Sequence, residues 1–184
     1  MTPRTTSPAI TLEPRTAAHA EEVFAVLAEP ALYEFIEEDP PVSVEALRQK
    51  FLRSESRRSP DGAEHWLNWV VRDASGRVAG YVQATIEASA ETNIAYVFGS
   101  AFWGRGIASA AVEAMLRILV AEFKVTTLLV VAERRNARSI RLAERLGFTP
   151  APPELRARRE VSSGDVLLQR LIRPPPPGSP PRPP

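Results

Sequence analysis

Residues 93–132 constrain this chain more than any other stretch. Asn93 to Phe98 alternates like a half-buried strand and ends at Gly99. Gly104 and Gly106 then lead into a helical run. Its apolar positions Ala108, Ala111, Val112, Met115, Leu116, Leu119 and Phe123 share one face, opposed by Glu113, Arg117 and Glu122. Thr126 to Ala132 follows as a near-continuous apolar strand, the kind buried on both faces. Strand, glycine turn, long helix and buried strand together are a unit of α/β architecture.

The flanking segments extend that unit. Ile10 to Leu12 alternates and meets Pro14, which predicts a short strand. Ala17 to Ala28 has helical spacing, with Glu21 and Glu22 near its start, and Pro30 closes it. Ser43 is a credible N-cap for a helix to about Arg53. Trp66 to Arg72 and Arg77 to Ile86 read as a hairpin about the turn at 73–76. Asn136 to Leu146 reads as a helix stopped by Gly147. Phe148 begins a strand broken by Pro150, Pro152 and Pro153, and Asp165 to Ile172 is the last strand. The expectation is one α/β domain over residues 10–172, a mixed central sheet of about seven strands flanked by about four helices. Residues 1–9 read as a disordered lead and 173–184 as a Pro-rich disordered tail.

Composition excludes several functions. A net charge of +1 over 184 residues gives no broad attraction to nucleic acid or to a membrane surface. No apolar run is long enough to cross a bilayer. The chain has no cysteine, so disulfides, thiolate metal sites and a cysteine nucleophile are ruled out, and a cytoplasmic location is expected. No metal is expected. Nothing in the sequence reports oligomeric state.

The chemistry concentrates in Trp103-Gly104-Arg105-Gly106-Ile107-Ala108-Ser109. Glycines at a strand-to-helix turn let a large anion approach the main chain, and the helix that follows offers unpaired N–H groups and the positive end of its dipole. A P-loop would need Lys and Ser/Thr where Ile107 and Ala108 stand, and a dinucleotide fingerprint would need glycine near Ser109.

On these residues the chain resembles the GNAT acetyltransferases, and most closely their RimJ/RimL-like branch. Gly106 and Ala108 match the last two positions of the family's donor-binding signature, and Trp103 stands where that branch usually has Trp. Asn136, Ser139, Leu146, Gly147 and Phe148 match a second family block. The resemblance runs from about Ile10 to Ile172.

The resemblance implies an N-acetyltransferase that moves an acetyl group from acetyl-CoA, as co-substrate, to a primary amine by direct attack, without an acyl-enzyme. Its partner would be a small-molecule or peptide amine. It implies main-chain bonds from Val97, Phe98 and Gly99 to the pantetheine arm. The amides of Arg105, Gly106, Ile107, Ala108 and Ser109 would hold the pyrophosphate, and Asn136 would contact the cofactor further along. Ala143 stands where many members carry a proton-donating Tyr, which leaves Ser139 as the best remaining donor, expected to hydrogen-bond the sulfur rather than protonate it fully. For the base, Glu37 is placed ahead of Glu91, because acids and aromatics around it would orient a cationic amine; His65 and a water relayed by Asn68 or Gln83 are further choices. Arg134, Arg135 and Arg138 could reach the 3′-phosphate. The alternative is a catalytically silent acyl-CoA-binding or sensing module, a reading that Ala143 keeps open.

Overall fold

The computed structural model describes residues 8–36, 38–89 and 91–172. The lead over 1–7, the tail over 173–184 and Glu37 lie outside the described residues. Seven strands form one sheet: β1 (Ile10–Pro14), β2 (His65–Asp73), β3 (Val78–Ile86), β4 (Glu91–Phe98), β5 (Thr127–Glu133), β6 (Thr149–Pro150) and β7 (Asp165–Leu171). Their order is β1-β2-β3-β4-β5-β7-β6, and every neighbouring pair is antiparallel except β4 with β5. The β4–β5 pair is parallel because a helix, α3 (Ile107–Phe123), carries the chain back between them.

Both faces of the sheet are covered, so buried side chains alternate between two cores. Trp69 and Val71 join the cluster under α3 and α4 (Ala137–Arg145), where Met115, Leu119 and Leu128 are fully buried. Val70 points the other way, into the cluster with α1 (Ala20–Leu27) and α2 (Val44–Ser54), where Val23 and Phe51 are enclosed. The caps are those the sequence predicts. The Ala46 N–H donates to Ser43 Oγ at 3.0 Å, and Gly147 takes φ +81° past the end of α4.

The described residues hold five α-helices, one more than expected. α5 (Pro153–Arg158) occupies a stretch whose prolines read as strand breakers; Pro153 instead stands in the helix's first turn, where no N–H is needed. α5 matters because the chain after it clamps one end of the sheet. Arg159 donates to both carboxylate oxygens of Glu87, at 2.8 and 2.7 Å, and to Asn93 Oδ1 at 3.0 Å. Arg158 pairs with Glu91. Among the described residues no helix is long and apolar enough to cross a membrane.

Candidate active site: a splayed strand pair between two cavities

β4 and β5 pair only over Glu91 to Asn93 with Thr127 to Leu129, at the clamped end. Beyond that point β4 stays with β3 as far as Phe98, β5 stays with β7 as far as Glu133, and the two strands part. A cavity of about 460 Å³ lies on one side of the opening and one of about 780 Å³ on the other. Phe35, Ile36, Tyr96, Val97, Asn136 and Ser139 border both, so the cavities meet at the parted strands.

Register decides which main-chain groups face the gap. The Gly99 N–H donates to Ala79 O at 3.0 Å, toward β3. Alternation along an antiparallel pair then turns the polar groups of Val97 toward β3 as well, and those of Tyr96 and Phe98 toward the gap. Of the three residues expected to offer main-chain bonds to the pantetheine arm, Phe98 turns its polar groups to the gap, the Gly99 amide is engaged with β3, and Val97 borders the gap through other atoms. The Phe98 carbonyl accepts a hydrogen bond from Trp103 Nε1 at 2.7 Å, so the indole fixes the loop to the strand end. The Ser100 N–H donates to Glu29 Oε2 at 2.9 Å, and the Ser100 side chain, then its backbone N–H, hold the Glu29 carboxyl below the usual carboxylate range.

The smaller cavity is bordered by Gly104, Gly106, Ala108 and Ser109 from this loop. Gly106 is the N-cap of α3 with φ +78°, and no side chain caps the helix. The first-turn N–H groups of Ile107, Ala108 and Ser109 therefore have no intrahelical acceptor. A Cβ on Gly106 would face Pro8, 3.4 Å from its Cδ, so the glycine is there for its left-handed backbone. Among the described residues, Arg138 and Arg145 are the charged ones bordering this cavity, and no carboxylate borders it. The Arg138 guanidinium sits 3.5 Å over the Trp103 ring. The Arg105 side chain lies instead by Phe102, at 5.9 Å, and borders neither cavity. Arg135 pairs with Glu133, and Arg134 reaches the Ser163 and Asp165 carbonyls.

Asn136 caps α4, its Oδ1 accepting from the Ser139 N–H at 3.0 Å. Ser139 Oγ lies 3.1 Å from the Tyr96 hydroxyl, and that hydroxyl also donates to the Ser139 carbonyl at 3.1 Å. Burial pushes the Tyr96 phenol above its ordinary value, against the opposing effects of Ser139 and Arg145. Tyr96 is the site residue that sequence reasoning missed. Ala143, fully buried, carries no hydroxyl, and the phenol beside Ser139 comes from β4.

The larger cavity has the opposite character. Glu38, Asp39, Glu133 and Asp165 border it against Lys50 and Arg53. Lys50 pairs with Glu38 at 2.7 Å. Asp39 and Asp165 have no ion-pair partner among the described residues. Tyr81 and Gln83 supply polar groups from β3, and burial pushes the Tyr81 phenol up to about 12, so it stays protonated. Glu91 is not brought here: it sits at the clamped end of β4 with Arg158 and Arg159 and borders neither cavity. His65 packs edge-on against Phe123, 5.3 Å between centroids, and also lies outside both cavities. Asn68 turns its amide to the Trp66 carbonyl. Among the described residues no group of three or more His, Cys, Asp or Glu could hold a metal.

Solved structures share this architecture at low identity. A domain from Methanocaldococcus jannaschii aligns at TM-score 0.69 and 19% identity, over 90% of this chain and 99% of that one. The spermidine N-acetyltransferase of Vibrio cholerae, in complex with CoA and spermine, aligns at TM-score 0.70 and 15% identity, over 88% and 95%. The ribosomal-protein-S5-alanine acetyltransferase of Vibrio fischeri aligns at TM-score 0.71 and 16% identity, over 88% and 92%. At these identities the likeness is one of fold. No curated protein matches the chain. The match that decides family is in the sequence itself: residues 9–149 fit the acetyltransferase (GNAT) domain, and the chain belongs to the GNAT acetyltransferases.

Proposed function

We propose that this protein is a cytoplasmic N-acetyltransferase of the RimJ/RimL-like branch, transferring an acetyl group from acetyl-CoA to a primary amine by direct attack. The observation that carries this reading is the pair of cavities of opposite charge that meet at the parted strands. Among the described residues, one is bordered by two arginines, a bare helix N-terminus and no carboxylate. The other is bordered by four carboxylates against two cations.

The donor suits the first cavity. The N–H groups of Ile107 to Ser109 and the charge of Arg138 would hold a pyrophosphate. The gap-facing groups of Tyr96 and Phe98 would pair with an extended amide arm, and the Asn136 amide would reach it from the far wall. The bound donor would supply an activated acyl carbon at the junction. The Phe98 or Tyr96 N–H would polarise the acyl oxygen and hold its growing negative charge, the usual large electrostatic contribution. On the acceptor side Asp39 and Asp165 would draw in an ammonium group, and a water held by Gln83 would accept its proton before attack. The Vibrio cholerae protein is a spermidine N-acetyltransferase seen with CoA and spermine, and the Vibrio fischeri protein is a ribosomal-protein-S5-alanine acetyltransferase. A cavity of about 780 Å³ has room for either kind of chain end.

Calorimetry of the folded protein with acetyl-CoA, beside dephospho-CoA, tests the donor half. Micromolar binding supports it, and no binding refutes it. Thiol release from acetyl-CoA in the presence of spermidine, an alanine-ended peptide or an aminoglycoside tests the acceptor half. Binding without turnover across the panel would point to an acyl-CoA-sensing module instead.

A further inference from the structure

We propose that the Tyr96 hydroxyl is the proton donor to the departing thiolate, with the Ser139 hydroxyl holding the phenolate that results. This rests on the donor-site reading above and deepens it. The phenol has one proton and two neighbours on Ser139, each at 3.1 Å. When Tyr96 donates to the Ser139 carbonyl, the serine Oγ–H is the group left to donate to the phenol oxygen. A small rotation of the Tyr96 O–H away from that carbonyl aims it into the junction, and the Ser139 bond to its oxygen persists. Tyr96 borders both cavities, where an acyl–sulfur bond at their meeting point would lie.

Acidity favours the phenol over the serine. A phenol titrates near 10 and a thiol near 8.5, so a proton moving from tyrosine to thiolate climbs about one and a half powers of ten, whereas an aliphatic alcohol lies much further off. Burial widens that gap, and a serine O–H directed at the phenolate narrows it. The atoms balance. The amine lone pair forms the C–N bond, the C–S bond breaks with its electrons on sulfur, and the Tyr96 proton follows them. The phenolate recovers a proton from the attacking nitrogen through the Ser139 hydroxyl. The proton lost by the ammonium before attack goes to solvent.

The test reads bound CoA and not turnover. Full-length wild type, Tyr96→Phe and Ser139→Ala are saturated with CoA, and the thiolate fraction is read by ultraviolet difference absorbance against desulfo-CoA. A phenol that donates to sulfur stabilises the thiolate. Wild type is therefore expected to hold about tenfold more thiolate than Tyr96→Phe at a fixed pH near 7, with Ser139→Ala between them. Arg138 and Arg145 of α4 on one side, and the six charged residues of the larger cavity on the other, are the same in both proteins, so the difference isolates the phenol. Equal thiolate in wild type and Tyr96→Phe, with CoA bound to both, overturns this assignment alone. Failure of folded wild type to bind CoA overturns the donor-site reading and this inference with it.

Discussion

Gly80 on β3 gives the sharpest stability prediction, because its reason lies entirely in the neighbouring strand. It stands opposite Phe98 at the end of β4, in the close pairing that alternates with the hydrogen-bonded Ala79–Gly99 pair. A Cβ placed on Gly80 would lie 2.8 Å from Phe98 Cα and closer still to the Val97 carbonyl oxygen. Carbon atoms rest about 3.5–4.0 Å apart, so Gly80→Ala must part the backbones by roughly 0.7 Å or more. Both obstacles are main chain, so no rotamer change relieves them. Overpacking of this kind costs about 1–3 kcal/mol, and weakening the 3.0 Å Gly99–Ala79 bond adds about 1 kcal/mol. At about 2–4 °C per kcal/mol for a chain of this size, the expected fall in Tm is roughly 5–12 °C. Thermal unfolding followed by circular dichroism measures it. The displaced strand is also the one that faces the gap, so acetyl-CoA affinity should fall in parallel by calorimetry. A Gly80→Ala protein melting within about 2 °C of wild type would refute the close-approach argument.

Other expectations follow from the same geometry. Thr92 is fully buried and its hydroxyl has no partner among the described residues, so Thr92→Val should raise stability by about 1 kcal/mol, read as a higher urea midpoint at unchanged m. Arg138→Ala removes the cation stacked on Trp103 and should weaken acetyl-CoA binding about tenfold, whereas Arg105→Ala should leave it within about twofold. Asp165→Asn should raise the acceptor KM several-fold while the acetyl-CoA Kd stays constant, and an equal rise in both would contradict its placement. The Glu87 carboxyl is held below its ordinary 4.5 chiefly by the Arg159 guanidinium. A depressed carboxylate contributes stability that is present above the unfolded value and lost as pH falls through the folded one. Glu87→Gln should therefore lower Tm at neutral pH and converge with wild type only as pH falls from the ordinary 4.5 through the lower folded value; curves that stay parallel to the lowest pH at which both proteins fold would refute the coupling.

What the sequence disclosed and what it withheld divide by range. The α3 N-terminus, the helix beginning about Asn136 and the Gly147 stop are local patterns within a turn or two of chain, and each is found where the pattern placed it. Tyr96 escaped notice because its partner lies 43 residues away, and on its own strand it is one apolar-facing position among several. Glu91 shows the converse. Its place at the start of the strand that leads to the glycine turn made it a candidate, but a strand has two ends, and only the β4–β5 pairing shows which of them is closed. The choice between Val97 and Phe98 as gap-facing main chain needed the β3 register, which alternation within β4 alone leaves open by one residue. α5 was hidden because Pro150, Pro152 and Pro153 carry the same letters whether they end a strand or open a helix.

The opposite signs of the two cavities also bear on how a reaction here would finish. On the proposed reading an acceptor arrives with a positive charge on the reacting nitrogen and departs as a neutral amide. Asp39 and Asp165 would thus hold the substrate and release the product with no moving part, because the chemistry itself cancels the attraction. An acceptor with one amine would leave freely, and one with several would be retained by its remaining charges and presented again, so repeated acetylation of a single molecule would depend on how many cations it began with.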